Sequence, residues 1–342
     1  MRILLLGCSG LLSGAALAAF LDEGHDVTVL TRGGRPRPAR PRLTALTADR
    51  RDAGALADVL RGQRFDLTAD FLAYDAEDVN RLFDVPAFEP GRLAMISSGQ
   101  VYLVSGSPRP PFREADADSP LSPEPAPGTR DHGEWTYGVG KRAAEAALRE
   151  LASTRGVSAL ALRLPVIQGE ADGHASRRLW AWLERMRDGG PVLLPEGGEQ
   201  RVRFLYAADA ARALVTLAGI ERWPDEPALN LAQPDEPTLR EFLDQAAAAA
   251  GLTPRFVTVS AGTLERAALA DTCAPWWGRW CSRPDPSRAV ELFGLRARRV
   301  PEYLPSVVRA HLAEPALVSH PGYTHRAREL ELAARLASSR RS

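Results

Sequence analysis

The chain has 342 residues, enough to bury a sizeable core in one large domain or two modest ones. Its 43 basic and 43 acidic residues give a formal net charge of zero, so no overall field favours nucleic acid or an acidic membrane surface. No apolar run approaches the roughly 20 residues that span a bilayer, and three scattered cysteines (Cys8, Cys273 and Cys281) give neither a disulfide framework nor a zinc spacing.

The apolar opening, residues 2–6, runs straight into Gly7, Gly10 and Gly14. No small-residue cleavage site precedes an evident mature start, so it reads as a buried first strand and the chain as cytoplasmic. A helix is expected over 15–21 and a second strand over 26–31. Pro36, Pro38 and Pro41 mark a loop before a third strand at 43–47. Then come a helix at 53–60, a strand at 65–72, a helix at 75–83 and a strand at 92–97. This alternation indicates βαβ units and a parallel sheet with right-handed crossovers. A Pro-, Ser- and acid-rich surface loop covers 105–128. A strong helix follows at 137–151 and a strand at 159–164. Further on, helices are expected at 177–187, 208–218 and 239–250, a strand at 201–206, and a charged amphipathic helix with a fraying end at 326–342.

The glycine-rich stretch Gly7-Cys8-Ser9-Gly10-Leu11-Leu12-Ser13-Gly14 sits between the first strand and its helix, the context in which such a turn binds a dinucleotide. Gly7 permits the tight turn. Gly10 lets backbone N–H groups and the helix N-terminus approach a pyrophosphate. Further on, Tyr137-Gly138-Val139-Gly140-Lys141 gives Tyr-x-x-x-Lys, with both side chains on one helical face. A free tyrosine titrates near 10, and a nearby ammonium is expected to favour its phenolate. Lys141 is the sole lysine among the 43 basic residues, which argues against accident. Ser97-Ser98-Gly99-Gln100-Val101-Tyr102 follows the fifth strand.

These residues resemble the NAD-dependent epimerase/dehydratase family of extended short-chain dehydrogenases over nearly the whole chain to about residue 310. The resemblance implies a doubly wound Rossmann-type α/β sheet with a smaller C-terminal α/β substrate lobe. Residues 1–168 with about 201–232 would hold the cofactor, about 169–200 and 233–320 the substrate, and 321–342 would form a C-terminal helix and tail. The family's turn is G-x-x-G-x-x-G; its third glycine falls on Ser13, small enough to substitute. The backbone of Gly7, Ser9, Gly10, Leu11 and Leu12 would then cradle the pyrophosphate. Asp49 and Arg50 match the family position beside the adenine, Leu72 and Ala73 the wall near the nicotinamide ribose, and Pro165 and Val166 the backbone that meets the nicotinamide. At the end of the second strand, Thr31 replaces the acidic residue of NAD-preferring relatives. The next residue, Arg32, suits a 2′-phosphate, which tilts the cofactor toward NADP over NAD.

By the same resemblance Ser98, Tyr137 and Lys141 are the catalytic set. Tyr137 exchanges the proton, Ser98 holds the reacting oxygen, and Lys141 tunes Tyr137 and holds the ribose. Gly99 and Gln100 replace the acidic pair of sugar-nucleotide 4,6-dehydratases, which disfavours that reaction. Gln100, Tyr74, Arg201 and Arg203 would line the substrate site, the arginines sharing one strand face and facing a diphosphate. The expected activity is therefore an epimerase or dehydrogenase acting on a secondary alcohol or ketone of a sugar or nucleotide-sugar-like substrate, with a homodimer as a possible assembly. An NADPH-dependent ketoreductase of secondary metabolism is the alternative enzyme. From another class, segments around 70–79, 97–105 and 190–213 also look like chloroplast stem-loop RNA-binding proteins on this fold, and a non-catalytic dinucleotide sensor would share it. Zero net charge and the intact Tyr–Lys pair argue against that. His132 and Trp135 lie where relatives line the cleft, Trp276, Trp277 and Trp280 form either an aromatic wall or local core, and the six histidines show no metal spacing, so no metal is expected.

Overall fold

The computed structural model describes residues 1–33, 40–106, 109–170, 178–270, 275–313 and 323–339. Pro36, Pro38, Cys273, Arg177 and residues 340–342 of the expected C-terminal helix lie outside the described residues. The first strand, β1 (Arg2–Leu6), shows why the sheet forms. Alternate side chains of a strand point to opposite faces, so Ile3 and Leu5 join one apolar core while Leu4 and Leu6 join another. Both faces are covered, and the strand accordingly carries a continuous apolar run.

After β1 come α1 (Leu11–Asp22), β2 (Asp26–Thr31), β3 (Leu43–Thr47), α2 (Ala53–Leu60), β4 (Leu67–Asp70), α3 (Ala76–Phe83) and β5 (Arg92–Ser98). They are followed by α4 (Gln100–Leu103), α5 (Arg130–Arg155), β6 (Ala159–Leu164), β7 (Val166–Gln168), α6 (Arg178–Arg187) and β8 (Val192–Pro195). Next are β9 (Phe204–Tyr206), α7 (Ala207–Gly219), β10 (Ala228–Asn230), α8 (Leu239–Ala250), β11 (Phe256–Val259) and α9 (Ala261–Arg266). The last three helices are α10 (Ser287–Phe293), α11 (Val300–Ala313) and α12 (Arg326–Ser339).

Seven strands form one sheet in the order β10-β6-β5-β4-β1-β2-β3, with every neighbouring pair parallel. This is a doubly wound Rossmann-type α/β sheet. Helices α1 and α7 pack together over one face, and α3 and α5 over the other. The winding direction reverses between β1 and β4, so the connections leaving their C-terminal ends diverge and open a crevice there.

The chain divides into two compact units. The sheet unit comprises Met1–Ile167, Phe204–Ala232 and Ser282–Ala297. Residues 282–297, expected in the smaller lobe, return to this unit: α10 packs on β10, and the Phe112 N–H donates to the Arg283 carbonyl at 2.9 Å. The second unit comprises Gln168–Arg203, Gln233–Cys281 and Arg298–Ser342. It contains the parallel pair β8–β11 and helices α6, α8, α9, α11 and α12. The charged helix α12 is held there by a buried network. Glu329, fully buried, accepts from Arg185 Nη2 at 2.6 Å and Nε at 2.8 Å, while Arg326 Nε donates to Asp188 at 2.6 Å. Among the described residues no helix is long and apolar enough to cross a membrane.

Candidate active site

The turn after β1 is closed by a hydrogen bond from the Gly7 N–H to the Leu30 carbonyl at 2.9 Å. Gly7 has φ +86°, and a Cβ there would lie 2.7 Å from the Leu72 side chain, so glycine is required on both counts. Helix α1 starts at Leu11, four residues before its expected start at residue 15. Gly10 is its N-cap, and the first-turn N–H groups of Leu11 and Leu12 lack intrahelical partners. Ser13 does more than substitute for a glycine. It is buried, and its hydroxyl both accepts from the Gly10 N–H at 3.2 Å and donates to the Gly10 carbonyl at 3.3 Å, which fixes the turn.

Beside this turn lies a cavity of about 320 Å³ lined by residues from the ends of β2, β3 and β4, among them Thr31, Arg32, Asp49, Arg51 and Leu72. Arg32 and Arg51 are both exposed, whereas Arg50 is buried with its guanidinium turned inward. Its Nη1 donates to Asp70 Oδ1 at 2.7 Å and its Nη2 to the Asp78 carbonyl at 2.6 Å. Asp70 also accepts the Leu72 N–H at 2.8 Å, and Asp78 accepts the Tyr74 N–H at 2.9 Å. Arg50 therefore braces the loops after β3 and β4, and Arg51 joins Arg32 as the second open cation at the cavity. Burial decides between the two neighbours, and the resemblance gave no sign of it.

Helix α5 begins seven residues before the expected start, capped by Thr129, whose hydroxyl accepts from the His132 N–H at 3.1 Å. Tyr137 is thus two turns inside the helix and not at its start. The two glycines within the motif let the helix approach its neighbours closely. A Cβ on Gly138 would meet the Gln100 carbonyl at 2.8 Å, and one on Gly140 the Tyr74 carbonyl at 2.6 Å. Lys141, only 2% exposed, donates to the carbonyls of Ala73 at 2.6 Å and Ile96 at 2.9 Å. Its Nζ lies 5.8 Å from the Tyr137 ring centroid and 4.8 Å from that of Tyr74. Three donors serve an ammonium, so one remains for a ligand.

Ser98 stands beside the Tyr137 hydroxyl, and Ser98 Oγ accepts from the Gln100 N–H at 3.2 Å. The pKa shifts differ from expectation. Burial raises the Tyr137 pKa, outweighing the lowering by Ser98 beside it, with Tyr74 and Glu134 adding to the rise. Burial also lowers Lys141, to about 8, against the opposing pull of Asp70 and Glu145. In the protein alone Tyr137 therefore holds its proton, and the Lys141 charge does not turn it into a phenolate.

Behind the site, Tyr102 serves structure. Its hydroxyl donates to Asn230 Oδ1 at 2.6 Å and accepts from Arg163 at 3.0 Å, while Arg163 pairs with buried Glu145 at 2.6 Å. Pro165 is buried and Val166 half-buried; the Leu164 carbonyl before them accepts the Gly99 N–H at 2.8 Å. Tyr74, 45% exposed, lies by Tyr137 with ring centroids 6.3 Å apart. Gln100 is nearly buried, and its amide donates to Glu134, a carboxylate that sequence reasoning passed over. Its spacing one turn before Tyr137 was the available signal.

The two expected diphosphate arginines do not share a strand face. Strand β9 begins at Phe204, and the preceding residues are drawn aside by an antiparallel bridge between Arg201 and Thr238. Arg201 is exposed and donates to the Glu236 carbonyl at 2.7 Å, whereas Arg203 is buried 3.1 Å from the Glu236 carboxylate. Trp276 and Trp280 are buried, Trp276 edge-on to Phe242 at 5.4 Å between centroids, which is local core of the second unit. His132 is taken up by Glu124 at 3.0 Å, and Trp135 Nε1 donates to the Ser122 carbonyl at 3.3 Å.

The model of the NAD dependent epimerase/dehydratase family matches residues 3–231. The chain is 27% identical over 225 residues to the 2'-dehydrokanamycin reductase of Streptomyces kanamyceticus, a match covering 65% of this chain and 59% of that protein. It is 25% identical over 235 residues to the chloroplast stem-loop binding protein of 41 kDa b of Arabidopsis thaliana, covering 65% of this chain and 56% of that protein. The chain thus spans less than two thirds of the length of these curated relatives. Among solved structures, the Bordetella bronchiseptica enzyme WbmH in complex with NAD⁺ superposes with a TM-score of 0.66 at 17% identity, covering 92% of this chain and 99% of that one.

Proposed function

The chain belongs to the NAD dependent epimerase/dehydratase family, and from that premise we propose that it transfers hydride between a nicotinamide dinucleotide and a secondary alcohol or ketone of a sugar-like substrate. The observation that carries this is the placing of Ser98 beside the Tyr137 hydroxyl, with Lys141 buried one helical turn beyond it.

The residues present suit the dinucleotide. Gly7 leaves no room for a side chain, the N–H groups at the start of α1 are open to a pyrophosphate, and the cavity by β2 and β3 is of a size for an adenosine moiety. Gly7, Ser9, Gly10, Leu11 and Leu12 would hold the pyrophosphate, and Thr31, Arg32, Asp49 and Arg51 the adenosine end. Leu72, Ala73, Lys141, Pro165 and Val166 would hold the nicotinamide end. The bound dinucleotide supplies the hydride donor or acceptor. Tyr137 then gives its proton to the carbonyl oxygen in reduction, or takes the hydroxyl proton in oxidation. Ser98 would hydrogen-bond that same oxygen, and Lys141 would use its remaining donor on the ribose while its charge stabilises the phenolate left when Tyr137 has given up its proton.

Reduction is the direction favoured. A half-buried Tyr137 that retains its proton is ready to act as an acid, and the reductase from Streptomyces kanamyceticus carries that chemistry in its name. Arg32 and Arg51, with no acidic residue at Thr31, suit a 2′-phosphate and hence NADPH. Denaturing the purified protein and identifying any released dinucleotide tests the reading. Tightly held NAD⁺ or NADP⁺ marks an internal redox cycle of the epimerase type, and an empty protein that binds added NADPH marks a reductase. Binding of neither overturns the proposal. In the reductase case, Arg32→Ala and Arg51→Ala should each raise KM for NADPH by roughly tenfold, the size of one charge-assisted hydrogen bond, and leave NADH unaffected.

A further inference from the structure

Resting on the assignment of Ser98 and Tyr137 as the reacting pair, we propose that the substrate carries an ammonium group recognised by Glu134, and that it is an amino-substituted sugar-like compound and not a nucleotide diphosphate sugar. Glu134 lies on α5 one turn before Tyr137, and side chains three apart share a helical face. It is half-buried, and its Oε2 accepts from Gln100 Nε2, whose own backbone N–H binds Ser98 Oγ. The carboxylate is thereby oriented by the same turn that positions the catalytic serine. Among the described residues no arginine, lysine or histidine pairs with it: Lys141 is bonded to two carbonyls, and Arg142 to Val101, Ser119 and Ser105.

An unneutralised, partly desolvated carboxylate is costly, and this one does not help Tyr137 ionise, since its charge favours the phenol. A cationic ligand group would both neutralise it and gain a charge-assisted hydrogen bond. Tyr74, exposed next to Tyr137, offers an aromatic surface suited to the C–H face of a sugar ring or to a cation. The contrary requirement, a free cation for a diphosphate, is not met where the family resemblance would put it. Arg203 is buried on the Glu236 carboxylate, and Arg201 is anchored on the Glu236 carbonyl.

Calorimetric titration of the full chain saturated with NADPH tests this with three probes that differ by one feature each: glucosamine, glucose and UDP-glucose. Glucosamine should bind most tightly and UDP-glucose most weakly. Glu134→Gln should weaken glucosamine by roughly ten- to a hundredfold, the range of a charge-assisted hydrogen bond, and leave glucose unchanged. Tighter binding of UDP-glucose, equal weakening of both hexoses by Glu134→Gln, or binding of none of the three would overturn the proposal. Tyr137→Phe should keep the preference for glucosamine over glucose, whatever it does to the affinity for each. If it also kept full turnover of an identified substrate, the assigned chemistry would fail while amine recognition stood.

Discussion

Gly7 and Gly14 belong to one glycine-rich turn, yet their surroundings make opposite demands. Gly7 has a positive φ and Leu72 against it, whereas a Cβ on Gly14 would meet nothing within 4 Å. Gly7→Ala should therefore abolish dinucleotide binding in a fluorescence titration. Gly14→Ala should preserve binding and raise stability to denaturant by about 0.5–1 kcal/mol, the difference between alanine and glycine inside a helix. Titration gives a second expectation at this scale. Lys141, lowered to about 8, is charged below that pH and loses its proton above it. Tyr137, raised by burial, keeps its proton through neutrality. The rate of ketone reduction should be flat from pH 6 to 7 and fall with an apparent pKa near 8 as the ammonium is lost, and Lys141→Met should remove that limb; a parent profile flat to pH 10 would contradict the assignment. The Tyr137–Lys141 pairing on one helical face was legible because its spacing is a local property of the sequence. The roles of Arg50 and Arg51 were not, because only the fold shows that Asp70 and Asp78 draw the first of them inward.

Helix α5 carries both Tyr137 and Lys141, and its two motif glycines let it pack closely on its neighbours. Gly140→Ala would drive a methyl group into the Tyr74 carbonyl, shifting Lys141 and Tyr137 together. Activity should drop by at least about a hundredfold, as for other misplacements of roughly 1 Å, while circular dichroism stays native. The strands of the central sheet were read from apolar runs that suit a doubly covered sheet, and they lie close to where those runs placed them. Element ends were less legible. The cap at Thr129 and the bridge at Arg201 depend on partners that periodicity does not encode. The end of the chain is the clearest case. The sequence shows a charged amphipathic helix there, but not which of its charges is buried: Glu329 lies between Arg185 and Arg326. Glu329→Ala would leave two buried cations short of their acceptor, at a cost of about 3–5 kcal/mol. A melting temperature equal to that of the parent would show that α12 contributes no such anchor.

At the scale of the whole molecule, balance of charge is the governing feature. The net charge is zero, and many arginines are spent internally, Arg50 on Asp70, Arg163 on Glu145, Arg185 on Glu329 and Arg203 on Glu236. Nucleic-acid binding rests on open cations that displace counterions. Likeness to a stem-loop binding protein therefore predicts shared scaffold, and a labelled stem-loop RNA should show negligible affinity even at low salt. The fold class was legible from the alternation of elements. The association of residues 282–297 with the sheet unit was not, since it rests on long-range pairing of Phe112 with Arg283 and Pro284. The central claim, that Tyr137 moves the proton while a bound nicotinamide moves the hydride, is tested most directly by single-turnover kinetics of Tyr137→Phe beside the parent protein. The predicted result is unchanged affinity for the dinucleotide with hydride transfer slowed by about 10²–10⁴-fold, the usual contribution of a positioned acid or base. Transfer at the parental rate with the phenol absent would contradict it.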